Sequence, residues 1–210
     1  MIRRMKDDIL ELPPKKRENE YIDLEDKHEI DEIRQYMHQL GSGCGVLSII
    51  TQLYYCDQTI SNKIWDINPH HLDKDDVSKK KPVLTQLYMR TGKSKVKYII
   101  KKLRAWLVDP TNGKLCIFAH HKIVMNDIEK ALEGVLGENS TTKYIRIDGD
   151  TSMNDRKLEI DKFQSNANVR IAILSITAAN VAITLTASST VWFAELYWTP
   201  GTLIQAEDRW

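Results

Sequence analysis

In the second half of the chain, apolar residues fall into short runs at two distinct spacings. Leu115–Ala119, Tyr144–Ile147, Ile171–Leu174 and Val191–Ala194 each have the length of a strand and end at polar or turn-forming residues. Between the first two, Val124, Ile128, Ala131, Leu132 and Val135 recur every three to four positions. This spacing predicts a helix over 122–136, with Gly134 and Gly137 as stop signals. Ser152, three residues before Asp155, fits the cap of a second helix running through Leu158 to Phe163. The small residues of 177–187 read as a short helix or loop before the last strand. Strands that are apolar throughout are buried on both faces, so the order predicts an α/β fold with a central parallel sheet and helices on both sides.

The first half is less regular. Ile30–Leu40 and Val46–Tyr55 read as helices on either side of Gly41-Ser42-Gly43-Cys44-Gly45, giving a helical region over 18–56. Residues 57–81 are polar, mixed in charge and without periodicity, and read as a surface loop or disordered insertion. A basic helical pattern then runs from Leu84 to Leu107, interrupted near Thr91-Gly92. The α/β unit occupies 82–210.

Composition narrows the function. The chain is 42% hydrophobic and 28% charged with a net charge of +1, so attraction to nucleic acid or membrane must come from local patches. No apolar run approaches the roughly eighteen residues that span a bilayer. The first residues lack the apolar core of a secretory leader, which suggests an intracellular protein. The three cysteines, Cys44, Cys56 and Cys116, are far apart and read as free thiols. Neither His70-His71 nor His120-His121 has the spacing of a tetrahedral metal site, so no metal is expected.

Ligands of parallel sheets bind beyond the carboxyl ends of the strands. That places candidate chemistry at His120-His121, Asp148–Thr151, Ser175–Asn180 and Glu195–Pro200. Thr151 and Ser152, before a helix start, could hold a phosphate or simply cap the helix. Ser175 and Thr177 could line a nucleic-acid backbone or merely permit tight packing. Lys93, Lys95, Lys97, Lys101, Lys102 and Arg104 form a solvated face or a phosphate-binding one. Thr91-Gly92-Lys93-Ser94 is no phosphate-binding loop, because Leu87 stands where such a loop needs its first glycine.

Four blocks taken together resemble one family. They are Cys116-Ile-Phe-Ala-His-His121; Tyr144-Ile-Arg-Ile-Asp-Gly149 with Thr151, Ser152, Arg156 and Phe163; Ile173-Leu-Ser-Ile-Thr-Ala-Ala-Asn180; and Phe193-Ala-Glu-Leu-Tyr-Trp-Thr-Pro-Gly201 followed by Gln205-Ala-Glu-Asp-Arg209. In this order they are similar to the second motor lobe of Swi/Snf-type DNA translocases, in particular the annealing-helicase branch. Residues 1–17 resemble the segment that joins the first lobe to the second. The last block resembles the start of the final helicase motif, so the chain reads as a fragment of a longer motor.

The resemblance implies a RecA-like lobe that works with a first lobe outside these residues, on double-stranded or forked DNA, with ATP and Mg2+ bound mainly by that first lobe. It implies that Gln205, Asp208, Arg209 and Ala182 face the nucleotide, with Arg209 catalytic. Gly149, Thr151, Ser152, Arg156, Ser175 and Thr177 would contact DNA. Nuclear localisation and a role at replication forks and in DNA repair follow from the same likeness. Three positions depart from the family pattern: Ala182 and Thr184, where glycine and asparagine are usual, and Asp150, whose carboxylate would repel a phosphate.

Overall fold

The computed structural model describes residues 16–18, 20, 22, 24, 26–40, 74–138, 140–177, 185–197 and 200–207; side chains are described at all of these except 37, 40, 74–81 and 200. Helix α1 spans Lys27–Leu40 and α2 Lys74–Val108. Then follow β1 (Lys114–Ala119), α3 (Lys122–Leu136), β2 (Lys143–Ile147), α4 (Met153–Ser165), β3 (Val169–Ser175), β4 (Ser188–Phe193) and α5 (Pro200–Glu207).

The four strands are all parallel, in the order β2-β3-β1-β4. Because side chains alternate across a strand, each strand feeds two cores. Leu115, Ile117 and Ala119 of β1, with Ile171 and Ile173 of β3, pack against α2 and α3 through Val96, Leu103, Val124, Ile128 and Leu132. Cys116 and Phe118, with Ile145, Ile147, Ala172 and Leu174, face the other way onto Phe163 of α4 and Ala206 of α5. The sheet is therefore covered on both sides, as the uninterrupted apolar runs predict.

Local signals set the helix ends. His121 is extended at the start of α3, and Gly137, at φ 67°, closes it by donating its N–H to the Glu133 carbonyl at 2.9 Å. Ser152 caps α4, its Oγ accepting from the Asp155 N–H at 3.2 Å. Asp26 caps α1, accepting from the His28 N–H at 2.9 Å, so that helix starts before Ile30. Pro200 occupies the first position of α5, where a missing N–H costs nothing.

Helix α2 corrects two expectations. It is continuous through Thr91-Gly92, where Thr91 Oγ1 donates to the Tyr88 carbonyl at 2.8 Å. It also begins at Lys74, inside the stretch expected to be a loop. Lysine favours helix, and adding turns to a helix already nucleated by buried residues downstream costs little, so polar residues join it without an apolar stripe. Against α2 lies α1, held by Ile33 on Leu87 with Tyr36, Val83 and Leu84 around them. Val46–Tyr55 and residues 57–73 lie outside the described residues, as do most of 1–17. No helix among the described residues is long and apolar enough to cross a membrane.

Candidate functional site

Since all four strands run the same way, their carboxyl ends meet along one edge of the sheet. In spatial order this edge carries 148–152 after β2, 175–177 after β3, 120–121 after β1 and 194–197 after β4.

The turn after β2 is stitched together by its own side chains. Thr151 Oγ1 accepts from the Asp148 N–H at 3.0 Å and lies 3.3 Å from Asp148 Oδ1. The other Asp148 oxygen accepts from Arg146 Nε at 3.1 Å and Nη2 at 3.0 Å. Burial is the largest influence on the Asp148 carboxyl and pushes it up; the Asp150 N–H and the Arg146 guanidinium outweigh it and hold the carboxyl below its usual range. Arg156 reaches back to donate from Nε to the Thr151 carbonyl at 2.9 Å and from Nη2 to the Asp148 carbonyl at 3.0 Å. It braces the turn. The Ser152 hydroxyl is 2.7 Å from Asp155 Oδ2, so Thr151 and Ser152 both spend their hydroxyls on turn and cap. Gly149 is exposed, with nothing within 4 Å of where a Cβ would stand. Lys122 at the start of α3 pairs with Asp150 of this turn, setting a positive charge against its carboxylate.

At the end of β3, Ser175 is buried with its hydroxyl 2.9 Å from that of Thr177, which is exposed. Thr177 is thus the outward hydroxyl at this strand end.

The remaining two segments converge on a residue that local sequence does not single out. Glu195 is 1% exposed. Its Oε2 accepts from the His120 and His121 N–H groups, both at 2.8 Å, and its Oε1 lies 2.7 Å from His121 Nδ1. One carboxylate thus ties the end of β4 to the end of β1. Helix α2 closes over it: Tyr88 donates to the Leu196 carbonyl, stacks on His120 at 5.5 Å and meets His121 edge-on at 4.6 Å. Burial, with Glu195 and Tyr197 nearby, pushes the Tyr88 hydroxyl far above its ordinary value. Burial, and then the neighbouring His121, lower His120, with Glu195 opposing.

On α5, Gln205 is exposed while Ala206 is buried in the core, so the helix turns Gln205 outward. Glu207 receives a fork from Arg17, Nη2 to Oε2 at 2.6 Å and Nε to Oε2 at 2.9 Å. Arg17 is thereby fastened to α5. Asp208, Arg209 and Ala182 lie outside the described residues. Among the described residues no three His, Cys, Asp or Glu side chains group as metal ligands.

Residues 94–210 match the helicase conserved C-terminal domain. The SWI/SNF-related matrix-associated actin-dependent regulator of chromatin subfamily A-like protein 1 of Xenopus tropicalis is 42% identical over 61% of this chain, which spans 13% of that protein. The human DNA annealing helicase and endonuclease ZRANB3 is 39% identical over 60% of this chain, which spans 11% of it. The matched stretch therefore spans about an eighth of the length of these relatives. The crystal structure of the C-terminal part of the Fun30 ATPase domain superposes with a TM-score of 0.60, covering 94% of this chain and 80% of the other at 19% identity, a likeness of fold.

Proposed function

The chain belongs to the helicase conserved C-terminal domain family, and from that premise we propose that it is the second motor lobe of an ATP-dependent double-stranded-DNA translocase of the annealing kind. The observation that supports this reading is the single sheet edge shared by the Asp148–Ser152 turn, the Ser175–Thr177 hydroxyls and the Glu195-tied ends of β1 and β4. A strand passing along that edge would meet Thr177 and the open surface of Gly149, while α5 would face the first lobe. The first RecA-like lobe is the partner, and forked or duplex DNA the substrate. Work at replication forks, in DNA repair and in the nucleus belongs to the same proposal.

The chain contains no phosphate-binding loop, so ATP and Mg2+ would be held mainly by the partner lobe. Gln205, outward on α5, fits a contact from this side, with Arg209 two residues beyond the described helix. Hydrolysis of ATP would supply the free energy for movement. This chain's own part is to hold its strand-end loops at fixed spacing: Arg156 rigidifies the 148–151 turn, and Glu195 locks the ends of β1 and β4 together. Such pre-organisation lets a movement of the lobe carry its DNA contacts as a unit.

The test is rewinding of a partly unwound duplex, read by a fluorophore and quencher on opposite strands, using a protein in which a first lobe precedes this chain. ATP-dependent rewinding supports the proposal; rewinding equally fast without ATP would sink it. A second reading, a DNA- or partner-binding module without enzymatic activity, draws on the missing phosphate-binding loop. It predicts DNA binding by a protein that turns over no ATP even when both lobes are present.

A further inference from the structure

Part of the basic series of α2 is paired with acidic residues from the start of the described chain. Residues 90–104 carry seven Lys and Arg and no acidic residue. Arg90, Lys93, Lys97, Lys101 and Arg104 are spaced by three or four, which puts them on one face of the helix, and the last four are exposed. At 1.5 Å per residue the stripe is about 21 Å long, matching on the order of six nucleotides of one strand at ~3.4 Å each. No large hydrophobic side chain is exposed between 90 and 104 among the described residues.

Residues 18–32 carry eight carboxylates and one lysine, and four of them, Glu20, Asp26, Glu29 and Glu32, lie against basic residues of α2. Beside the stripe, Glu20 pairs with Lys102 on the flank of the helix and accepts from the Tyr98 hydroxyl. Lys97 Nζ lies 3.8 Å from Asp26 and 3.6 Å from Glu29, and Arg90 lies 3.1 Å from Glu32. We propose that this face of α2 binds the phosphate backbone of duplex DNA, and that residues 18–32 occupy it in cis as a polyanion mimic that DNA must displace. The inference rests on the DNA-binding reading above and adds a surface away from the strand-end loops, with a built-in mask. Partly exposed pairs are individually weak and screened by salt, and among the described residues the mask is otherwise held by a small apolar cluster around Ile33 and Leu87. It is therefore placed to open.

The experiment is fluorescence anisotropy of labelled duplex DNA with the chain, from about 50 to about 200 mM salt. It compares wild type with the variant E20Q/D26N/E29Q/E32Q. Freeing Arg90, Lys97 and Lys102 should tighten binding about tenfold or more and steepen the slope of log K against log salt by roughly 2 to 3, at about 0.9 per phosphate. Adding K93Q, K97Q and K101Q to that variant should reverse the gain. If the quadruple variant melts early, E20Q/E29Q keeps the Asp26 cap and the apolar cluster and should shift both readings the same way by less. Unchanged affinity and slope in a folded variant, while T177A weakens DNA binding, would overturn the mask and leave the strand-end reading standing. No DNA binding by any variant would overturn both. Tightened binding to an acidic peptide without any change toward DNA would also overturn the proposal, in favour of a protein ligand.

Discussion

A Cβ built on Gly92 of α2 would stand 2.4 Å from Oε1 and 2.8 Å from Cδ of Glu195, 103 positions away in the sequence, closer than any side chain tolerates. The carboxylate cannot swing aside cheaply, because two backbone N–H groups and His121 Nδ1 hold it. The same pair explains why a glycine sits mid-helix: it lets α2 close over the strand ends.

Gly92→Ala should therefore destabilise. The usual helix gain on replacing glycine, about 0.5–1 kcal/mol, is outweighed by overpacking of about 1–3 kcal/mol against a pinned group. Gly134→Ala on α3, where a Cβ meets nothing within 4 Å, should instead stabilise by about 0.5–1 kcal/mol. Urea midpoints of the two variants check both signs.

Arg156 gives a test of brace against grip. With two N–H groups committed to the carbonyls of Thr151 and Asp148, Arg156→Ala should cost about 1–3 kcal/mol of stability. Arg156→Lys should not restore it, since an ammonium lacks the planar fork. A variant with full stability and a salt slope for DNA smaller by about one would make Arg156 a phosphate contact instead.

Stability should fall in mild acid because of His120. Its folded value is lowered, chiefly by burial, so the unfolded chain takes up the proton first, near pH 6.5. Where the unfolded state binds more protons, stability rises with pH. The loss accordingly begins as pH drops through about 6.5 and continues until His120 titrates in the folded protein. His120→Phe, which keeps a ring between Tyr88 and Tyr197, should flatten this part of the profile. Asp148, held low, contributes stability that is present above its unfolded value and lost only as pH falls further, through its own folded value. Denaturation midpoints from about pH 7 to about pH 3 separate the two limbs.

Cys116 lies at the centre of the sheet, fully buried, its thiol pushed up to about 12 by burial despite a contact from Ser188. Thiolate is the reactive form, so the native protein should leave Cys116 unlabelled by a thiol reagent at neutral pH until it unfolds. Mass spectrometry of the peptide containing residue 116 reads this directly.

The sheet was legible because its signals are local. Runs of four or five apolar residues, Ser152 three before Asp155 and glycine at 137 each act on near neighbours, and the structure follows them. Asp26 was an available cap signal for α1 that the apolar pattern alone overlooked. Helix α2 from Lys74 was not legible, since a polar helix propagated from its neighbour leaves no periodic stripe. Glu195 was visible only as part of a strand-end segment. Its partners come from β1 and α2, and no local pattern announces that His120, His121 and Gly92 will meet there. The Arg17 and Glu207 fork, 190 positions apart, was hidden for the same reason. The sequence groups Thr151, Ser152 and Arg156, and the structure turns their polar groups inward onto the turn and leaves Thr177 as the outward hydroxyl.

The most direct test of the account is ATP turnover, with and without duplex DNA, by a protein that carries a first RecA-like lobe ahead of this chain. DNA-stimulated turnover that Arg209→Ala abolishes, with none from this chain alone, is the expected result. Turnover by this chain alone, or a two-lobe protein whose hydrolysis ignores both DNA and Arg209, would contradict it.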